Sequence, residues 1–242
     1  MNMSFYTAAV GAAQQQQRLN VQANNIANIN THGFKAEYPS FASLMYDGIT
    51  GIDNVRLPRG TGALMVMAGT DFSDGGLATT GLAQDYAIIG DGFFGLLDPA
   101  SGQISYTRDG SFTLTELLEA DADGVQQSVW YLSDGLGKLV LDQNAQPIAV
   151  EDAMAAQPVG VFDFVNVDGM QHIGSNQFVP VAKNGDVQRG AGTVRQGVLE
   201  LSNADLAQEM SKVIEAQRSF TYALKMIQTS DEIENTINSL RG

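Results

Sequence analysis

The sequence predicts an α+β protein in which an N-terminal and a C-terminal helix pair as a coiled coil, with an all-β antiparallel domain inserted between them. Three observations carry that expectation: an apolar heptad near the start, a second near the end, and a glycine-punctuated run of short strand-like segments in the middle. The implied organisation is a first helix over 1–35, an extended linker over 36–70, a β domain over 71–195 and a second helix over 196–242.

Phe5, Ala12, Leu19 and Ile26 recur every seven residues, with Ala8, Ala9 and Ala23 beside them, so a helix from about Met3 to Ile29 presents one narrow apolar stripe. A narrow stripe calls for a partner helix. The opposite face is neutral, because Arg18 is the only formal charge before Phe34 and the polar positions are amides: Gln14 to Gln17, Asn20, Gln22, Asn24, Asn25 and Asn28. Amides can be packed against neighbours once hydrogen-bonded, at roughly 1 kcal/mol net per bond, which suggests neighbours on more than one side. Asn20, Asn24 and Asn28 are spaced to form a ladder on one face, and Gly33 can end the helix in the left-handed conformation. An ordinary Ala/Gln-rich surface helix has the same composition, and the far end of the chain separates the two readings.

Pro39, Pro58 and several glycines break 36–70 into short apolar runs, read as extended segments with little helix. From Asp71 to about Val194 come short strand-like segments such as Tyr86-Ala87-Ile88-Ile89, Phe93 to Leu97 and Val129 to Leu132. Turn signals separate them at Asp91-Gly92, Asp109-Gly110, Asp123-Gly124, Asp134-Gly135, Asp168-Gly169 and Asn184-Gly185. Trp130 and the pair Phe93-Phe94 read as β-domain core. Ser202-Asn203-Ala204-Asp205 then fits a helix start, and Leu206, Met210, Val213, Gln217, Phe220, Leu224 and Ile227 alternate by four and three as a coiled-coil seam to Leu240. Beyond Ile227 the apolar set moves to Ile233, Ile237 and Leu240, predicting a local phase shift near Thr229–Glu232.

A net charge of −14, from 13 basic and 27 acidic residues, disfavours nucleic acid and anionic membranes as partners. With no cysteine, disulfides, thiolate catalysis and cysteine metal sites are excluded. The first residues lack a basic n-region followed by an apolar run, and no stretch reaches the roughly 18 apolar residues of a membrane span, so any export is expected to use no ordinary signal peptide.

Several motifs mimic sites. Gly90-Asp91-Gly92-Phe93-Phe94-Gly95 matches G-x-G-x-x-G after a strand-like run, but Leu96-Leu97-Asp98-Pro99 follows where a dinucleotide site needs a helix, so a β-turn is the better reading. Glu119, Asp121 and Asp123 with Gly124 resemble half of an EF-hand loop, yet the twelfth position is Trp130. His32 and His172 are too few for a histidine-rich zinc site, and His32 reads as a cap or surface residue. No Ser-His-Asp set stands out. A glycosidase pair among the many carboxylates is not excluded by inspection, although Asp-Gly turns explain most of them. No catalytic, cofactor-binding or metal-binding residue is assigned.

Pairing the two ends buries both stripes and leaves the middle as an insertion, the shape of a filament subunit. Ala23-Asn24-Asn25-Ile26-Ala27-Asn28 and Asn30-Thr31-His32-Gly33-Phe34-Lys35 resemble the N-terminal signature of bacterial flagellar rod and hook proteins. The likeness continues through Asp85 to Ile88, Gly90 to Phe94, Tyr106-Thr107-Arg108-Asp109-Gly110-Ser111-Phe112, Gly174 to Phe178, Gln196-Gly197-Val198-Leu199-Glu200, Ser202-Asn203, Glu209-Met210, Ile214 and Gln217 to Phe220, in family order across nearly the whole chain.

The resemblance implies a structural, non-enzymatic subunit of the flagellar basal-body rod, of distal or proximal type, located outside the cytoplasm. Its terminal helices would form an inner tube with the β domain outside, and the chain would leave through the flagellar type III export channel without a cleaved signal peptide. Implied partners are copies of itself in a helical homo-oligomer, other rod and hook proteins, and the export apparatus. The expected subunit interface is Phe5, Ala12, Leu19, Asn24, Ile26, Asn28, Leu206, Met210, Val213, Phe220, Leu224 and Ile227, and the expected role is a stiff shaft that transmits torque. A hook-type subunit is the alternative, although hook proteins usually carry a larger middle. Ile29-Asn30, His32 and Ser219-Phe220 depart from the commoner family residues and leave the paralogue open. Two other classes are a carbohydrate-active module and a stalked adhesin.

Overall fold

The two heptad segments fold as helices α1 (Met3–Ala27) and α2 (Leu206–Leu240) in a computed structural model that describes residues 3–44, 46–50, 56–60, 62–120 and 126–240. They pack together within one compact unit that also takes in residues 37–69, while residues 28–36 and 70–204 make a second unit. Neither described helix is long and apolar enough to cross a membrane.

α1 stops two residues short of the expected Ile29. Thr31 N–H closes a turn on Asn28 O at 3.1 Å, and Gly33 takes φ +63. α2 begins three residues later than a cap at Ser202 would place it, because Asp205 is the cap: its Oδ1 accepts from Ala207 N at 2.8 Å and Gln208 N at 3.3 Å. At 35 residues α2 spans roughly 52 Å. It runs unbroken through Thr229–Glu232, and its buried positions Glu209, Ala216 and Ser230 keep multiples of seven, so the expected phase shift is not needed to hold the seam. In the same unit β1 (Glu37–Ser43) pairs with β4 (Ala63–Thr70), and β2 (Tyr46–Thr50) pairs antiparallel with β3 (Arg56–Gly60).

The second unit is antiparallel throughout its described pairings. Its strands are β5 (Leu77–Thr79), β6 (Tyr86–Ile89), β7 (Phe93–Leu97), β8 (Ile104–Thr107), β9 (Thr113–Ala120), β10 (Gln126–Ser133), β11 (Leu139–Val140), β12 (Val161–Phe164), β13 (Gln171–Gly174), β14 (Gln177–Val179), β15 (Val187–Arg189), β16 (Thr193–Gln196) and β17 (Val198–Glu200). One sheet runs β13-β14-β8-β7-β11-β10-β9, with β12 joining β7 to β15, while β16 pairs with β6 and β17 with β5.

β7 is central because successive side chains on a strand point to opposite faces. Phe94 enters a cluster with Tyr86, Ile88, Phe112, Leu132 and Val140, and Phe93 enters another with Tyr106, Leu141, Phe162, Phe164 and Phe178. Gly95 sits where a Cβ would come within 2.7 Å of the Phe162 ring. The G-x-G-x-x-G match is thereby absorbed: Gly90 and Gly92 make the β6–β7 connection, a strand follows rather than a helix, and Gly95 gives room to a core ring. Trp130 departs from expectation and is 47% exposed. Leu132 and its cross-strand partner Leu114 reach the core cluster, whereas Trp130 lies two residues farther out along the β9–β10 pair and faces Glu116.

Asp71, Asp98, Asp109, Asp134, Asp142 and Asp152 each accept the backbone N–H two residues on, so these carboxylates are turn builders. Asp121, Asp123 and Gly124 of the EF-hand mimic lie outside the described residues. His172 Nε2 meets Thr70 Oγ1 at 2.9 Å and its ring packs on Phe178.

Phe94→Ala is expected to destabilise this unit by about 3–5 kcal/mol in urea unfolding. Hydrogen bonds from Ser101 Oγ and Ala100 N hold the Asp98 carboxyl below its ordinary 3.8. The contribution of such a depressed group is complete above 3.8 and is lost as pH falls through the lower folded value, so an NMR titration of Asp98 is expected to show its midpoint below 3.8.

Candidate functional site

The helix pair is organised by small and amide side chains. On α2 the buried residues are Glu209, Ala216 and Ser230, with Val213, Phe220, Ala223 and Ile227 half-buried alongside. On α1 Ala12, Gln14, Val21, Gln22 and Asn25 are buried. Ser4 Oγ meets Ser230 Oγ at 3.2 Å, and the Arg18 guanidinium pairs with Glu215 on the surface at 3.1 Å. Asn25 ties three elements together: its Nδ2 donates to Glu37 O at 2.7 Å and Glu209 Oε2 at 3.2 Å, and its Oδ1 accepts from Glu37 N at 2.9 Å. Lys212 Nζ completes the Glu209 carboxylate at 2.6 Å.

Measured against the expected interface, the residues divide. Ala12 is buried, and Phe5, Leu19, Ile26, Val213, Phe220 and Ile227 are half-buried in the helix-pair unit. Leu206, Met210 and Leu224 are 50%, 47% and 40% exposed, and Asn24 also faces outward. Asn28, half-buried in the other unit, accepts from Thr31 Oγ1 through its Oδ1. Ile214, Tyr222, Met226, Ile233, Ile237 and Leu240 join the exposed apolar residues of α2. The seam within the chain is thus lined by Glu209, Ala216 and Ser230 with half-buried Val213, Phe220 and Ile227, and the other large apolar side chains of α2 stand on its outer faces.

The second unit holds a buried ionic cluster that pattern reading did not assemble. Lys35, Glu200 and Arg108 have side chains no more than 2% exposed. Glu200 Oε1 accepts from Lys35 Nζ at 2.6 Å and Gly75 N at 2.8 Å, and Oε2 from Arg108 Nη1 at 3.3 Å. Lys35 Nζ also donates to Ser73 O at 2.7 Å, and Arg108 Nη2 to Gly90 O at 2.9 Å. The guanidinium stacks 5.5 Å above Phe93, and Asp74 adds a half-exposed ion pair. Burial pushes the Lys35 ammonium below 10.5 despite the attraction of Glu200. Gly33 donates its N–H to Glu200 O at 2.8 Å and lies where a Cβ would strike the Arg108 backbone at 2.4 Å. Asn203 fastens the same region, donating to Asp71 O at 2.8 Å and accepting from Ala36 N at 2.7 Å. The available signal was that Lys35, Arg108 and Glu200 each stand inside one of the blocks that carry the family resemblance.

No group of acids or histidines among the described residues has metal-ligand geometry. What the arrangement offers is fixed structure in one unit and unsatisfied apolar helix surface in the other.

Three family models match the chain: "Flagella basal body rod protein" over 5–35, "Flagellar hook protein FlgE/F/G D1 domain" over 87–153, and "Flagellar basal body rod FlgEFG protein C-terminal" over 195–240. Each matched segment contributes one member of the ionic cluster, Lys35, Arg108 and Glu200 in turn. The chain is 32% identical to the flagellar basal-body rod protein FlgG of Borreliella burgdorferi, covering 100% of this chain and 99% of that protein. It is 30% identical to FlgG of Bacillus subtilis, with 100% of both chains covered. Its identity to the rod protein FlgF of Rhizobium meliloti is also 30%, over 100% of this chain and 99% of that one.

Glu200→Gln leaves two buried cations without their carboxylate, and is expected to lower the stability of the β-rich unit by about 3–5 kcal/mol. Glu215→Gln removes only the surface pair with Arg18 and should cost no more than about 1 kcal/mol. Urea unfolding of both variants checks the contrast.

Proposed function

The chain belongs to the flagellar basal-body rod protein family, whose members are structural rather than enzymatic, and on that premise we propose that its copies repeat one head-to-tail contact to build a helical tube that transmits torque. It is a structural subunit of the basal-body rod and assembles with other flagellar rod and hook proteins. In this proposal 1–35 and 196–242 form the tube as a two-stranded coiled coil, 36–70 connects, and 71–195 is the outer β domain. Export runs through the flagellar export apparatus without a cleaved signal peptide.

The observation that carries the reading is the large apolar side chains left exposed along α2, among them Leu206, Met210, Leu224, Ile233 and Ile237. A lone helix pair with large apolar side chains on its outer faces has a drive to associate, at about 25 cal/mol for each Å² covered. Phe5, Ala12, Leu19, Ile26, Val213, Phe220 and Ile227 hold the pair together, and Leu206, Met210, Leu224, Asn24 and Asn28 meet neighbouring copies. Full-length similarity to proteins named as rod components favours rod over hook, although the match over 87–153 carries a hook description.

Leu224→Asp and Met210→Asp are expected to leave helix content and thermal stability of the isolated chain within about 0.5 kcal/mol of the parent, as surface changes do. Both should abolish incorporation into basal bodies, scored by immunogold electron microscopy. Recovering either variant in assembled rods at parental levels would sink the assignment of these positions.

A further inference from the structure

α2 carries a second apolar stripe beside the seam that pairs it with α1. At roughly 100° per residue, Tyr222, Met226, Ile233, Ile237 and Leu240 fall within about 60° of one another, and no charged residue of 219–240 shares that sector. All five are exposed, Leu240 most of all. The stripe lies roughly 110° round the helix from the seam of Glu209, Ala216 and Ser230 with its half-buried neighbours, so the pairing with α1 leaves it open. α1 has an open face as well. Tyr6, Ala13, Asn20, Ala23, Asn24 and Ala27 are exposed and share a face about 100° wide. That face carries no charge, because Arg18, the one charged residue of α1, turns to Glu215 instead.

We infer that the Tyr222–Leu240 stripe of one copy packs against the uncharged face of α1 in the next. The inference rests on the tube reading and supplies its contact. The lengths agree, since Tyr222 to Leu240 is about 27 Å of helix and Tyr6 to Ala27 about 32 Å. The surfaces agree too. Large side chains on one helix need small ones opposite if the axes are to approach to about 8–10 Å, and the alanines of α1 provide them. The amides between those alanines keep hydrogen-bonding capacity inside the contact, where the Tyr222 phenol needs a partner. The remaining outer face of α2 is the poorer occupant: Arg218, Lys225 and Glu232 share it, and covering them would strip three charges of water. A stripe meeting a second stripe would close the contact at two copies. A stripe on α1 is heterologous, so each copy gives one surface and receives the other, and the series does not close.

The chain has no cysteine, so introduced thiols report on their own. Ala13→Cys or Ala23→Cys is co-expressed in the full chain with Ile233→Cys or Ile237→Cys, one cysteine per chain, and isolated basal bodies are treated with a short bis-maleimide. Cross-linked peptides joining α1 of one chain to the stripe of another are expected, in clear excess over those formed when Lys225→Cys replaces the stripe variant. In parallel, Ile233→Asp/Ile237→Asp is expected to cut incorporation into basal bodies about tenfold, the equivalent of about 1.4 kcal/mol, and Lys225→Ala to leave it unchanged. Circular dichroism of the purified double variant establishes that its helices are intact, and the cross-links decide if they are not. Cross-links that join stripe only to stripe, no excess over the Lys225→Cys control, or parental incorporation of the double variant overturns the inference. If that happens while Leu224→Asp still blocks assembly, the tube reading stands and only this contact falls. A parental chain missing from rods would instead overturn the tube reading itself.

Discussion

Glu200 is the group on which the β-rich unit turns. Its carboxylate is buried between an ammonium and a guanidinium that are themselves buried, and each of the three charges is tolerable only in the presence of the others. The cluster gathers residues 33–35, 107–110 and 197–200, which lie far apart in sequence, and Gly33 is required where the backbone passes Arg108 with no room for a Cβ. A buried salt bridge adds little net stability over an apolar replacement. It does penalise every arrangement in which one partner is missing, and so it enforces a single mutual placement of those segments.

The helix pair follows the opposite logic. Ala216 and Ser230 give α2 a shallow inner face, and Asn25 and Glu209 fix its position through directed hydrogen bonds rather than bulk. Apart from Val213, Phe220 and Ile227, the large apolar side chains of α2 are displaced to the outside, where one molecule cannot bury them. The chain thus pairs a β-rich unit that is satisfied internally with a helical unit that is not, a division suited to a subunit whose order is completed by neighbours.

The likeness to rod proteins was legible because its signature blocks coincide with structural necessities. Tyr106-Thr107-Arg108-Asp109-Gly110 carries the guanidinium of the cluster and an Asp109 turn. Phe93-Phe94-Gly95 is the central strand. The inner seam of α2 was less legible, since alternation by four and three fits Leu206, Met210 and Leu224 as well as it fits Glu209, Ala216 and Ser230. Hydrophobicity favoured the former set. Ser202–Asn203 looked like a cap but Asp205 serves, because Asn203 is committed to the backbone of residues 36 and 71. Trp130 looked like core because it is large and aromatic, yet it lies two residues farther out along the β9–β10 pair than Leu132, which reaches the core cluster.

By itself the sequence determined the two helices, the antiparallel character of the middle, the turns at Asp109 and Asp134 and the family, since these depend on local periodicity and on residues close together in the chain. Tertiary structure alone decided which face of α2 turns inward and which charges are buried together. Those outcomes depend on the size of the gap between packed elements and on charges brought near from distant positions, and neither quantity has a signature in any short window of residues.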